Sequence, residues 1–414
     1  MTKLFRHLVL QGLRSLRLGS LTVREGGLSE SFGGHGREDL RATLTVTDPK
    51  AWQRMVLGGS LGAAEGYLRG EWVADDLTTV LRIFAANLDV ADEMESLPSR
   101  LLNAPARLAH RLRANTQAGS RRNIRAHYDL GNDLFELFLD PTMTYSCAWF
   151  DSPQVSLEEA SRAKLDRVCR KLELTPSDRV VEIGTGWGSF ALHAASRYGC
   201  HVTTTTISAE QHAVAARRIE EAGLADRVTL LQQDYRTLTG TYDKLVSIEM
   251  IEAVGAEHLD TYFGTCSRLL APHGQALIQG IVMPERRMPA YLQSTDYIQA
   301  YVFPGAALAS IGTMAQAVGR ATDLSFLHVE DMAPHYAMTL QRWRETFLGR
   351  LDAVRALGRY DERFIRLWEY YLAYCEAGFS ERCTGVVQVV MAKPGCRRGD
   401  VRVGPAATPT NAHP

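Results

Sequence analysis

Beyond Leu174 the chain alternates short β-branched runs with stretches of helical period: RVVEIG, SFALHAASRYG, HVTTTTIS, AEQHAVAARRIEEAG, RVTLLQQD and KLVSIE. Strands alternating with helices predict βαβ units and a mostly parallel sheet covered on both faces, a doubly wound α/β fold. The first hundred residues follow another pattern. There LTVREGG and ATLTVTDP predict short strands, and GGSLGAAEGYLRGEW predicts a glycine-punctuated helix or turn. The expected organisation is a smaller mixed module over 1–115, a catalytic domain over 116–395, and a disordered tail over 396–414, where GPAATPTNAHP has no apolar periodicity.

Composition narrows the function classes. Lys and Arg number 46 against 47 Asp and Glu, so no global basic charge points to nucleic acid. The seven cysteines are scattered without a C-x-x-C pair, which predicts reduced thiols in a cytoplasmic protein. Met1 to Val23 lacks the uninterrupted apolar core and cleavage site of a signal peptide, and no run approaches the roughly 20 apolar residues that span a bilayer. Any membrane contact is therefore expected to be peripheral. Charge is uneven in one place, because residues 98–122 carry six arginines, Arg100 to Arg122, and no carboxylate.

Gly184, Gly186 and Gly188 fall between a predicted strand and a predicted helix, where a tight turn lets backbone approach a ligand closely. The same pattern also serves a turn that merely requires glycine. A dinucleotide enzyme places an acidic residue at the end of the second strand for the ribose hydroxyls. Here that strand ends in Thr205, Thr206 and Ser208, which argues against NAD, while Asp234 closes the third strand.

Three segments carry a more specific signal: NIRAHYDLGNDLFELFLDPTMTYSCAWFD at 123–151, VVEIGTGWGSFALHAA at 180–195 and DKLVSIEMIEAVG at 243–255. Together they closely resemble the cyclopropane fatty-acid synthase and mycolic-acid methyltransferase family, from about Asn123 to about Lys393. The N-terminal module resembles that of the bacterial long-form synthases. The resemblance implies a Rossmann-like class I methyltransferase that uses S-adenosylmethionine, held by Tyr145, Ser146, Gly184, Gly186, Thr206, Gln211, Asp234 and Ile248. It also implies a bicarbonate ion beside the transferring methyl group, at the positions Cys147, Glu252, Gln279, Ile281 and Tyr336. Gln279 stands where those synthases usually have histidine, and Ala253 replaces the histidine of the common E-H-x-G step. Such a glutamine resembles a sub-branch of bacterial synthases and the enzymes that make methylene or methyl branches.

The implied reaction transfers a methylene unit to the cis double bond of an unsaturated phospholipid acyl chain, forming a cyclopropane. The alternative product of the same alkene is a methylene- or methyl-branched chain. An alkene is a poor nucleophile, so a dry, aligned site is required. The resulting cation is stabilised by aromatic faces at roughly 0.5–2 kcal/mol per ring, with Tyr145, Trp149, Phe150, Tyr297, Tyr301 and Phe303 as lining candidates or ordinary core. Loss of a proton from the added methyl needs a base. A bound bicarbonate is the expected base, with Glu252 accepting a hydrogen bond from it and Tyr336 donating one; of Glu249 and Glu252 one reads equally as a helix N-terminal carboxylate, and the resemblance selects Glu252 for the site. Cys147 reads as either a pocket ligand or a packing residue. His127, Asp129 and Asp133 lie close enough to suggest metal ligands, but no second cluster accompanies them and no metal is expected.

The expected partners are an unsaturated phospholipid and, transiently, the inner membrane surface, reached by the Arg-rich run and the basic, Leu-rich first residues at about 1 kcal/mol per basic side chain. A homodimer is compatible with this reading. A methyltransferase for small polar metabolites would not need the YSC segment or an N-terminal module, and a catalytically dead lipid-binding protein would have lost the glycine loop or Glu252.

Overall fold

The computed structural model describes residues 2–88 and 130–401. Its contacts group into two compact units, one built from 1–138, 283–307 and 336–385, the other from 139–282, 308–335 and 386–414. Segments 283–307 and 336–385, placed in the catalytic domain by sequence, thus cluster with the N-terminal residues. The reason is their aromatic content: in the helix Glu362–Ser380, Trp368 and Tyr371 pack with rings of the same unit, Phe135 and Phe303 among them.

The first unit contains a four-stranded sheet in the order β2-β1-β3-β4, with β1 Gly19–Glu25, β2 Leu28–His35, β3 Arg41–Val46 and β4 Trp72–Ala74. Strands β1 and β3 are the two expected ones and run parallel. Strand β2 escapes sequence reading because its residues LSESFGGH are mainly polar and only Phe32 is buried. It forms because Gly26 and Gly27, both at positive φ, turn the chain back into a hairpin with β1. The Gly-rich segment is indeed helical, over Lys50–Leu68, and breaks at Gly59, where φ is 58° and ψ −138°.

The second unit holds a seven-stranded sheet in the order β10-β11-β9-β8-β5-β6-β7. These strands are β5 Arg179–Ile183, β6 His201–Thr205, β7 Val228–Leu231, β8 Tyr242–Ile248, β9 Leu270–Val282, β10 Ser325–Asp331 and β11 Gly385–Ala392. Pairs β5–β6, β6–β7, β5–β8 and β8–β9 are parallel, and β10–β11 is antiparallel. This is the expected doubly wound α/β fold. Central strands are buried on both faces and so read as apolar runs: Val180, Val181 and Ile183 on β5 are all under 2% exposed. One face packs on helices Leu259–Leu269 and Ile311–Ala321 through Phe263, Met314 and Val318. The other packs on helices Leu157–Lys171, Ser189–Tyr198 and Ala209–Glu221 through Val168, Phe190 and Ile219.

The expected tail is shorter than sequence suggested. Cys396 accepts a hydrogen bond from Gln275, Arg398 reaches the same side chain, and Val401 is buried in the core, so the segment is anchored at these three residues. The rest of the tail, 402–414, lies outside the described residues, as does the whole Arg-rich run of 98–122 together with His127 and Asp129.

Candidate active site

The carboxyl ends of β5, β6, β7 and β8 lie side by side, the edge at which open α/β sheets bind ligands. After β5 the chain turns at Gly184, whose N–H, like that of Thr185, donates to the carbonyl of Thr205 at 3.1 Å. Gly186 has φ of 53°, and a Cβ built there would meet nothing within 4 Å. The loop is therefore an open cradle of backbone, the shape a nucleoside-type ligand requires. Gly188 then caps the following helix in the left-handed region.

After β6, Thr206 donates to Gln211 Oε1 at 3.0 Å and accepts from the Ser208 N–H, while Ser208 caps the helix that carries Gln211. These contacts fix both expected polar contacts at one corner of the edge. Asp234 follows β7, and its carboxylate is paired with Arg236 at 2.6 Å. Ile248 ends β8 directly opposite Gln279 of β9. Tyr145 sets its ring edge-on to Trp187 at 6.4 Å, which ties the YSC segment to the glycine loop. Ser146 accepts from the buried Lys164 ammonium at 2.9 Å. Burial lowers the Lys164 pKa, against the pull of Glu249, Cys147, Glu182 and Asp140.

A second group lies at the ends of β8 and β9. Glu249, in the left-handed region with φ of 50°, accepts the Cys147 N–H and the Gln279 side-chain N–H on one oxygen, each at 2.8 Å. Gln279 also reaches the Cys147 carbonyl at 3.4 Å. Three residues seen separately in sequence are thus joined, and the joint is Glu249. Sequence reasoning treated Glu249 as the lesser of two carboxylates; its bonds to Cys147 and Gln279 make it a structural member of the group. The Cys147 thiol points to the carbonyls of Ala148 and Met332, as a packing thiol does.

Glu252 sits in the short turn Ile251–Ala253. Its Oε1 accepts the Ile281 N–H at 2.5 Å, and its Oε2 is inaccessible and without a hydrogen-bond partner among the described residues. Burial first, then the charge of Glu249, raise the Glu252 carboxyl to about 8, and the Ile281 N–H only partly opposes them. Gly280 makes this approach feasible, because a Cβ there would lie 2.7 Å from Ile251 Cγ2. Tyr336 is on the helix Ala333–Gly349, in the first unit, with its ring stacked on Phe379 at 4.5 Å.

The aromatic candidates divide. Trp149 is committed to packing, with the Arg167 guanidinium 3.6 Å from its centroid and the His335 ring at 4.0 Å. Phe150 is buried in the second unit. In the first unit, Tyr297 packs on Tyr301 and Tyr370, Tyr301 donates to Glu65, and Phe303 meets Tyr371 edge-on. Asp133 pairs with Arg359. Among the buried polar residues that sequence did not single out are Lys171 and Gln388, with the half-buried Glu330 next to them; the visible signal was a lone glutamine inside the apolar strand GVVQVVMA.

A parallel sheet with a glycine cradle after its first strand and a polar corner after its second defines a class I S-adenosylmethionine-dependent methyltransferase. The profile of the family described as Mycolic acid cyclopropane synthetase matches residues 115–389, and the chain belongs to that family. It is 40% identical over 369 residues to the tuberculostearic acid methyltransferase UfaA1 of Mycobacterium tuberculosis, covering 87% of this chain and 86% of that one. It is 37% identical over 355 residues to the cyclopropane-fatty-acyl-phospholipid synthase of Escherichia coli, covering 85% and 88%. Among solved structures, the mycolic acid cyclopropane synthase CmaA1 complexed with SAH and CTAB aligns with a TM-score of 0.61 at 28% identity, over 66% of this chain and 98% of that one. The protein is an S-adenosylmethionine-dependent methyltransferase of this family.

Proposed function

We propose that the enzyme transfers a methylene unit from S-adenosylmethionine to the cis double bond of an unsaturated phospholipid acyl chain, forming a cyclopropane. The observation that carries this reading is the Glu252 carboxyl, one oxygen held by Ile281 and the other buried without a hydrogen-bond partner among the described residues. The synthase name of the Escherichia coli relative supports the same product.

S-adenosylmethionine supplies an electrophilic sulfonium methyl when bound. Tyr145 and Ser146, the Gly184–Gly186 cradle, Thr206, Gln211, Asp234 and Ile248 hold it in this reading. Methyl addition to one alkene carbon leaves a cation on the other, and loss of a proton from the added methyl lets its C–H electron pair close the ring. Bicarbonate supplies a general base for that proton when bound. The unpartnered Glu252 Oε2 fits such an anion: with its carboxyl raised to about 8, Glu252 carries an O–H at neutral pH and donates to it. The N–H of Ile281 and the side-chain amide of Gln279 are already engaged within the protein, so Glu252 is the principal contact. Cys147 adds backbone polarity, and Tyr336 enters on the family resemblance.

A second reading is favoured by Gln279, which cannot carry a proton as histidine does. If the methyl proton leaves late, a 1,2-hydride shift moves the cation to the methylated carbon, and the same proton loss gives an exocyclic methylene. The relative named tuberculostearic acid methyltransferase supports this branch. Contact with the inner membrane surface, in a cytoplasmic and peripherally bound enzyme, is supported by the helix Thr2–Leu13, where Leu4 is 59% and Leu8 43% exposed beside Lys3.

The deciding experiment incubates the protein with monounsaturated phospholipid vesicles and methyl-labelled S-adenosylmethionine, followed by mass spectrometry of the fatty acids. A product heavier by CH₂ that resists hydrogenation supports the ring. One that takes up hydrogen supports the methylene, and no labelled lipid overturns both.

A further inference from the structure

Behind Gln279 runs a line of polar side chains that ordinary core packing does not call for, buried at Gln388 and Lys171 and half-buried at Glu330. Glu330 on β10 stands opposite Gln388 on β11, and β11 neighbours β9, which carries Gln279. Lys171 Nζ donates to Glu330 Oε2 and to Gln388 Oε1, both at 2.6 Å. Gln388 Nε2 donates to Gln279 Oε1 at 2.9 Å, and Gln279 Nε2 donates to Glu249 at 2.8 Å. Gln279, Gln388 and the Lys171 side chain are fully buried. Arg167, one turn before Lys171, braces Glu330 at 2.6 Å.

The direction of this line is fixed at both ends by chemistry. An ammonium only donates, so Gln388 must turn its carbonyl to Lys171 and its NH₂ to Gln279. A carboxylate and a peptide carbonyl only accept, so Gln279 must turn its NH₂ to Glu249 and Cys147. Reversing either amide would set two acceptors or two donors face to face in a buried place, the costly case for a polar network.

We propose that Gln388 and Lys171 are positioning residues of the transfer reaction, which fix the direction of the Gln279 amide and through it the placement of Glu249 and Cys147. This rests on the reading of Gln279 as part of the transfer site. The consequence concerns the substitution of glutamine for histidine at 279. The glutamine acts as a one-way connector, and what stands behind it decides what it presents to the site.

Gln388→Glu keeps size but replaces the donor by an acceptor. The Gln279 amide must then reverse and bring its oxygen against Glu249. Turnover is expected to fall about 10- to 100-fold, the effect of an unsatisfied buried polar contact, with the proportion of ring to methylene product altered and S-adenosylmethionine affinity unchanged. Adding Gln279→His restores the line, because an imidazolium donates to the carboxylate introduced at position 388 through one nitrogen and to Glu249 through the other; at least about tenfold of the loss returns in the double variant. Wild-type turnover and product split in Gln388→Glu, or a double variant no better than the product of the two single effects, overturns the proposal. If Gln388→Glu does not fold by circular dichroism, Gln388→Met takes its place, with reduced turnover and altered split expected and wild-type values overturning. A readout independent of turnover separates this from the functional reading. The side-chain NH₂ resonances of Gln279, identified by their loss in Gln279→His, must move in the Gln388 variant; fixed resonances overturn the proposal even if no lipid product is ever found, while moved resonances with no wild-type product overturn the proposed reaction alone.

Discussion

Glu252 and Ile281 meet across the ends of two neighbouring strands, one carboxylate oxygen accepting the Ile281 N–H at 2.5 Å while the other is buried without a hydrogen-bond partner among the described residues. A buried carboxyl so placed is easier to protonate than to ionise, and its pH behaviour follows.

The Glu252 carboxyl is raised from 4.5 to about 8. A raised carboxyl favours the folded state at low pH, and the stability it contributes is lost as pH climbs from the unfolded value through the folded one. Glu252→Gln removes this dependence, so between pH 5 and 8 the variant loses stability with pH less steeply than wild type, by up to about 1.4 kcal/mol per pH unit. Urea unfolding across that range checks it, and parallel slopes would contradict a neutral Glu252. Turnover in the same variant is expected to drop by at least about 100-fold, with S-adenosylmethionine binding kept.

Removing bicarbonate tests the use of the free oxygen. In degassed, carbonate-free buffer, wild-type turnover falls and recovers on adding bicarbonate, whereas Glu252→Gln shows no recovery. Initial rates at fixed pH and ionic strength measure both, and an enzyme indifferent to bicarbonate would remove that ion from the mechanism.

Two glycines separate binding from turnover. Gly186→Ala meets open space but keeps a left-handed backbone, costing about 1 kcal/mol of stability, and its methyl intrudes on the cradle, weakening S-adenosylmethionine by at least about tenfold. Gly280→Ala drives a methyl into Ile251. It costs about 2 kcal/mol by overpacking, displaces Glu252 and lowers turnover while methyl-donor affinity stays near wild type. Calorimetric titration and melting curves distinguish the pair.

Lys164→Met removes the ammonium that fixes Ser146. Because the neighbouring carboxyls Glu249, Glu182 and Asp140 then lose their buried cation, stability is expected to fall by about 3 kcal/mol. The loosened YSC segment raises the KM for S-adenosylmethionine about tenfold, a loss near the strength of one charged hydrogen bond. An unchanged KM would mean that Ser146 is not held through this contact.

Much of the fold was legible in the one-dimensional pattern. The runs RVVEIG and KLVSIE became β5 and β8 because inner parallel strands are apolar on both faces, and HVTTTTIS and RVTLLQQD became β6 and the edge strand β7 through their β-branched residues. The glycine loop was visible because its backbone is left-handed at Gly184, Gly186 and Gly188, a conformation that glycine adopts at least cost. Strand β2 was missed, since an edge strand with a polar surface carries no alternation to read. The anchoring of Cys396, Arg398 and Val401 was missed because the groups that hold them, Gln275 and the core around Val401, lie far away in sequence.

For the site, sequence alone determined the residue types, their order and the resemblance that names Cys147, Glu252 and Gln279 together. Only the tertiary structure decided which partners each carboxylate has. Glu249 and Glu252 are three residues apart and chemically identical, and they differ only through partners brought by other strands: Cys147 and Gln279 for one, Ile281 for the other. The line from Gln279 through Gln388 to Lys171 was likewise invisible, because a hydrogen bond across β11 and β9 joins residues 109 positions apart and local pattern carries no trace of it.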